Sequence, residues 1–219
     1  MPNIRKQLNF KDKDLWYLVG LIATDGNLSS DGRHIDITAK DPNFLEELKE
    51  NLGLENKVTA KHNRSGTCFH IQFANRNFYD FLLSIGLTPK KSLTLGELKI
   101  PTGWFSDFIR GVIDGDGSIR KWVHASNGVE QWSLSIYSGS SIFIDWLKQR
   151  IEKHCSVTGQ IHKDRALYVL KFGKLAAKRI LGKCYYEGCL GLNRKAMLAK
   201  MCGTVDAGWS KSKTLLCMG

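Results

Sequence analysis

The chain has 219 residues, 42% of them apolar, enough for one sizeable domain or two small ones with their own cores. No run of 18 or more apolar residues occurs, and the opening MPNIRKQLNFKDKD lacks the apolar stretch of a signal peptide, so a non-secreted, intracellular protein with no membrane partner is expected. The net charge of +11 points to a polyanion, because Lys and Arg that neutralise phosphates release counterions, and it is uneven, with net +2 in residues 1–100 and net +9 in 101–219.

In chain order, residues 18–28 (LVGLIATDGNL) carry a motif that opens on a helix stopped at Gly26, and residues 33–39 read as a strand with Ile35, Ile37 and Ala39 on one face. NFLEELKENLG gives a helix with Phe44, Leu45, Leu48 and Leu52 on its stripe and Gly53 as its stop. KVTAKH and CFHIQFA form a hairpin around residues 63–66 that would bury Val58, Ala60, Phe69, Ile71 and Phe73, and a helix over about 77–85 ends at Gly86. The pattern then starts again with IRGVIDGDGSI at 109–119. A strand follows with Trp132, Leu134 and Ile136 inward, then a helix (IFIDWLKQRI), a hairpin (GQIHKDRALYVLKF) and a helix (KLAAKRILG). The join lies near 95–103, where Pro101 and Gly103 break the pattern. This gives an α+β fold of two pseudo-symmetric αββαββα halves, residues 1–98 and 99–205, followed by a tail at 206–219.

Asp25 and Asp116 occupy equivalent places in the repeat, 91 positions apart. Gly20 with Thr24, and Gly111 with Gly115, put small residues at i and i+4, a flat stripe on which two helix backbones can pair. Gly26 and Gly117 fall where a helix-stopping C′ glycine would stand. Packing leaves the aspartates unexplained, because unpaired carbonyls and the negative dipole end disfavour an anion at a helix C-terminus. If the small faces pair, both carboxylates converge with backbone carbonyls, an all-oxygen set suited to Mg²⁺. The metal ligands would be Asp25 and Asp116, with the carbonyls of Thr24 and Gly115.

The two segments resemble the LAGLIDADG motif pair, and the order of elements in both halves is similar to that of the LAGLIDADG homing endonucleases of the single-chain, two-motif type. The resemblance implies a saddle-shaped, four-stranded antiparallel sheet in each half, joined through paired motif helices, in a monomer astride a long target site in double-stranded DNA. It implies hydrolysis of both strands across the minor groove with Mg²⁺ or Mn²⁺, leaving short 3′ overhangs. Asp25 and Asp116, the eighth motif residues, would be the catalytic metal-binding acids, and Lys40 the polar residue beside the metal-bound water. Ca²⁺, with more ligands at longer distances, is expected to support binding without efficient cleavage. At the sixth motif position Ala23 faces Asp114, so the two sites are expected to be unequal. A family member that has lost cutting, acting as an RNA splicing maturase or DNA-binding regulator, is the alternative.

Lys91 and Lys195, in the matching stretches GLTPKKSLTL and GLNRKAML, are candidates to orient water or stabilise the transition state, with Lys90 and Arg194 as their substitutes. For base reading, outward positions in the first half are His34, Asp36, Thr38, Thr59, Lys61, His70 and Gln72, with Arg64 at the hairpin. Those in the second are Arg120, Lys121, Gln131, Ser133, Ser135, Tyr137, His162, Arg165 and Lys171. The cysteines Cys68, Cys155, Cys184, Cys189, Cys202 and Cys217 include no CxxC pair and are expected to be small buried hydrophobes, the alternative being a zinc site using Cys184 and Cys189.

Overall fold

The structure, a computed structural model, describes residues 13–63 and 66–204. The first half consists of α1 (Lys13–Thr24), β1 (Gly26–Leu28), β2 (His34–Ala39), α2 (Pro42–Leu52), β3 (Val58–Asn63), β4 (Gly66–Ala74) and α3 (Arg76–Ser84). The second repeats the order as α4 (Phe105–Asp116), β5 (Gly117–Val123), β6 (Glu130–Ser138), α5 (Ser141–Cys155), β7 (Gln160–Asp164), β8 (Leu167–Phe172) and α6 (Lys174–Cys184). Each half has one antiparallel sheet, ordered β1-β2-β4-β3 and β5-β6-β8-β7. The chain is therefore α+β with two matching αββαββα units. One further helix, α7 (Asn193–Thr204), has no counterpart in the periodic reading of the sequence. Its basic, weakly amphipathic segment has no clear apolar stripe, and packing against the second half decides its state. Arg64, Cys217 and the tail at 206–219 lie outside the described residues. Among the described residues, no helix is long and apolar enough to cross a membrane.

Period-two alternation fixes the sheet faces. In the first sheet Ile35 pairs with Phe73 and Ile37 with Ile71 on the side covered by helices, while Asp36 pairs with Gln72 and Thr38 with His70 on the open side. Local chemistry sets the helix ends: Asp41 accepts from the Asn43 N–H at the start of α2, and Gly53 at φ 66 takes the left-handed turn that ends it. Asn75 and Ser140 cap α3 and α5 in the same way, by accepting from the backbone N–H groups of Phe78 and Phe143. One expectation fails at the edge of the sheet, where Ala60 on β3 is exposed because no helix covers that strand's far end.

The halves meet through α1 and α4, and glycine permits that meeting. A Cβ on Gly20 would lie 2.2 Å from the Phe108 carbonyl oxygen and 2.9 Å from the Gly111 Cα, and one on Gly111 would lie 2.1 Å from the Tyr17 oxygen. Gly26 and Gly117 do not act as left-handed C′ residues, since neither has positive φ and Gly117 sits at φ −88, ψ 151. Each instead starts a strand directly after its helix, so closely that a Cβ would fall 2.5 Å from the Ile22 Cα or the Ile113 oxygen. The join between halves is packed: Leu95, Leu98 and Ile100 are buried, Ser140 donates to the Leu95 oxygen, and Arg150 donates to that of Ile100.

Gly20→Ala should therefore destabilise the protein by ~1–3 kcal/mol or more, because backbone atoms of the opposing helix cannot move aside. Gly182→Ala, on a helix with nothing near its Cβ, should instead stabilise by about 0.5–1 kcal/mol. Urea unfolding midpoints of the two variants, shifting in opposite directions, check this.

Candidate active site and nucleic-acid interface

Because α1 and α4 pair and end at the same level, Asp25 and Asp116 emerge side by side where each chain turns into the first strand of its sheet. Thr24 fits into the gap left by Gly115, where a Cβ would lie 1.9 Å from the Thr24 Oγ1 and 3.4 Å from the Asp25 Oδ2. The Thr24 hydroxyl donates to the Gly20 and Leu21 oxygens within its own helix. Asp25 therefore rests against the opposite motif.

Both carboxylates keep contact with solvent on one side. Loss of water on the other raises both pKa values. Asp116 reaches about 6, with the negative charge of Asp25 as the second cause, whereas Lys195, Lys91 and Arg194 partly offset the rise at Asp25. The two acids therefore resist being ionised together.

Lys91 and Lys195 are only 5% and 2% exposed, while Lys90 and Arg194 beside them are exposed. Lys195 donates to the carbonyls of Ile113 at 2.5 Å and Asp114 at 2.8 Å, and reaches Gly115 at 3.5 Å. Lys91 donates to the carbonyl of Gly26. Lys195 thus sits on carbonyls at the end of α4, the negative pole that makes an aspartate there unfavourable, while Lys91 sits on a carbonyl of β1 just after Asp25. Burial lowers both amines to about 8, and the nearby acids oppose that shift.

Asp114 is a structural group. It is 2% exposed and accepts from the Tyr17 hydroxyl at 2.8 Å, the Tyr185 hydroxyl at 2.6 Å and the Leu192 N–H at 2.8 Å. Burial raises its pKa, and the donated hydrogen bonds pull it back. Its contacts tie α1, α4 and the segment leading into α7 together, which places Lys195. Nothing in the motif's spacing could have revealed Tyr17 or Tyr185, whose partners are 97 and 71 residues away.

Two clefts flank the acids. One is lined by Asp25, Thr38, Lys40, Cys68, Gly115 and Arg194, the other by Asp116, Thr24, Lys91, Tyr137, Ser138 and Gly139. They are not equal. Gly26 pairs with Ile37 and Gly117 with Ile136, so in the repeat Lys40 corresponds to Gly139. A side chain on Gly139 would start 2.7 Å from both Leu93 Cδ2 and the Ser92 oxygen, so the second cleft cannot hold a lysine there without rearrangement.

The open sheet faces carry most of the base-reading candidates. His34, Asp36, Thr38, Thr59, Lys61, His70 and Gln72 share one face of the first sheet by register. Arg120, Gln131, Tyr137, His162 and Lys171 share one in the second, with Arg165 at the β7–β8 turn. Lys121 is a correction. It pairs with Trp132 on the helix-covered side and forms an ion pair with Glu130 at 2.7 Å, because the strand brings Trp122 to the open face in its place. Ser133 and Ser135 are also corrected: they are 3% and 5% exposed, short side chains sunk in the central strand β6. Among the described residues, no group of three or more His, Cys, Asp or Glu is placed to hold a metal ion, around Cys184 and Cys189 or elsewhere. Cys155, Cys184 and Cys202 are buried as expected, whereas Cys68 and Cys189 are only partly buried, against expectation.

With this geometry in view, residues 12–86 match the family model of a LAGLIDADG-like domain. The described residues have the fold of LAGLIDADG meganucleases. It is similar to the homing endonuclease I-WcaI, solved bound to its DNA recognition sequence, with TM-score 0.63 at 11% identity over 90% of each chain. It is similar also to the LAGLIDADG meganuclease I-AabMI, solved bound to uncleaved DNA, with TM-score 0.60 at 16% identity over 90% of this chain and 91% of that one. Full-length DUF199/WhiA from Thermatoga maritima gives TM-score 0.59 at 13% identity over 97% of this chain and 69% of its own. No curated protein matches by sequence.

The Asp116 pKa makes a prediction for metal-free protein. Its folded value of about 6 lies above the ordinary 3.8, so the folded state holds the proton more tightly and loses stability as pH rises between those values. Asp116→Asn removes that dependence. Unfolding midpoints in chelator should show the variant gaining on the native chain from pH 4 to 6, with the difference constant above about pH 7.

Proposed function

We propose that this chain is a site-specific double-strand DNA endonuclease that uses a divalent metal and cuts one strand in each cleft. The convergence of Asp25 and Asp116 at two paired helix ends, each beside a buried lysine, carries this reading. The fold alone does not, because it is shared by homing endonucleases and by DUF199/WhiA. The two carboxylates, the carbonyls of Thr24 and Gly115 and room for water form a sparse set of hard oxygen donors that fits Mg²⁺ or Mn²⁺ and not zinc. Such an ion, when bound, supplies Lewis acidity and a more acidic water. Lys91 and Lys195 hold positive charge at fixed positions next to the acids, where negative charge develops on the phosphate. Lys40 and Arg194 reach into the Asp25 cleft, where they can orient water and phosphate. The basic second half supplies most of the sequence-independent attraction to phosphate.

Asp25→Asn or Asp116→Asn should reduce double-strand cleavage by more than ~100-fold while leaving duplex affinity in Ca²⁺ largely intact, since even outer partners of metal sites account for 10–100-fold. Duplexes selected from a randomised library provide the substrate. Double-strand cutting by either variant at the native rate would sink the metal assignment.

The unequal clefts imply an order of cutting. With Lys40 in one cleft and Gly139 in the other, the strand entering the Asp25 cleft is cut first and nicked circle precedes linear DNA on a single-site plasmid. Lys40→Ala should slow that first cut by roughly 100-fold and reverse the order, as a misplaced reactant can cost that much. Strand-labelled duplexes read the order directly, and a random first strand in the native protein would be decisive against it.

A further inference from the structure

The open face of the first sheet contains one arrangement that the cleavage site does not use. The Asp36 Oδ2 is 2.8 Å from the His70 Nδ1 and accepts from the Lys61 Nζ at 3.0 Å, while its Oδ1 accepts from the Thr38 hydroxyl at 3.2 Å. These residues come from three adjacent strands, with His70 directly across from both Thr38 and Thr59. Asp36 keeps only 13% of its side chain exposed, so it is occupied within the sheet and is poorly placed to read a base itself. Its effect falls on His70. An ionised carboxylate only accepts hydrogen bonds, so the His70 Nδ1 must carry the proton, and in a neutral ring that leaves Nε2 as an acceptor. The ring stays partly open, 18% exposed, and its Nε2 has no hydrogen-bond partner among the described residues.

We infer that Asp36 is a positioning residue that fixes the His70 tautomer, so that this point of the face reads an exocyclic amino group, adenine N6 or cytosine N4, and rejects the keto bases guanine and thymine. The inference rests on the proposed reading of the open faces as a DNA surface, and adds what one position of it recognises. A lone acceptor in the major groove separates amino from keto bases, and does not by itself separate A·T from G·C pairs. The second half has no counterpart, because the register places Ser135 and Val169, both buried, where the first half has Asp36 and His70. The preference therefore belongs to one side of the target only.

The test is selection by binding, using the full chain and a randomised duplex library in Ca²⁺. One position, on one side of the enriched site, should accept A or C on one strand and disfavour G and T by about tenfold or more. His70→Lys, which offers only donors, should reverse that position to G or T on the same strand and leave the others unchanged. Asp36→Ala should flatten it, and Asp36→Asn, which keeps an acceptor for Nδ1–H, should preserve it. A merely structural role for Asp36 would instead weaken all positions together. A position that divides A·T from G·C pairs, or that ignores His70→Lys, overturns the inference while leaving the endonuclease reading in place. Failure of the native chain to enrich any sequence overturns both.

Discussion

The architecture depends on how closely two helix backbones can approach. Gly20 and Gly111 lie against each other at the centre of the α1–α4 interface, and the missing side chains let the helices touch through main-chain atoms. That contact makes two half-sized cores into one body and brings the ends of α1 and α4 to the same level. Thr24 then fills the space beside Gly115, and the position of Asp25 relative to Asp116 follows from the pairing. A wider interface would separate the acids and the two clefts beside them.

Putting negative charge at the end of a helix is unfavourable, and the molecule offsets that cost from two sides. Lys195 bonds the carbonyls of Ile113 and Asp114, which offsets the dipole end of α4, and Lys91 bonds the Gly26 carbonyl just past Asp25, which puts a second positive charge beside the acids. Burial in turn keeps those amines easier to deprotonate than ordinary lysines. Acids that lose water and lysines that lose water stabilise each other's charges. Asp114 stands apart from this exchange: with three donors on its carboxylate, it acts as a joint between α1, α4 and the approach to α7.

The repeat gives two similar frameworks whose details diverge. Lys40 projects into one cleft, and the other has Gly139 packed under Leu93. Asp36 and His70 interlock on one sheet, and the matching positions of the other are buried. A single chain can hold such differences because its halves are encoded separately, and an asymmetric DNA site is the kind of ligand that rewards them.

The sequence by itself determined the periodic structure. Alternation in HIDITA and EQWSLSIY set which face of each strand is covered, the cap residues Asp41 and Gly53 set helix ends, and the small residues spaced at i and i+4 marked the helix faces that pair. These are local signals, carried by residues within a few positions of one another. The tertiary structure alone decided what depends on distant partners. It put Lys91 and Lys195, rather than Lys90 and Arg194, against the helix ends, made Asp114 a joint through Tyr17 and Tyr185, turned Lys121 away from the open face, and tied Asp36 to His70 across the sheet. A side chain's neighbours are set by register and by the packing of elements far apart in the chain, and single-sequence periodicity contains neither.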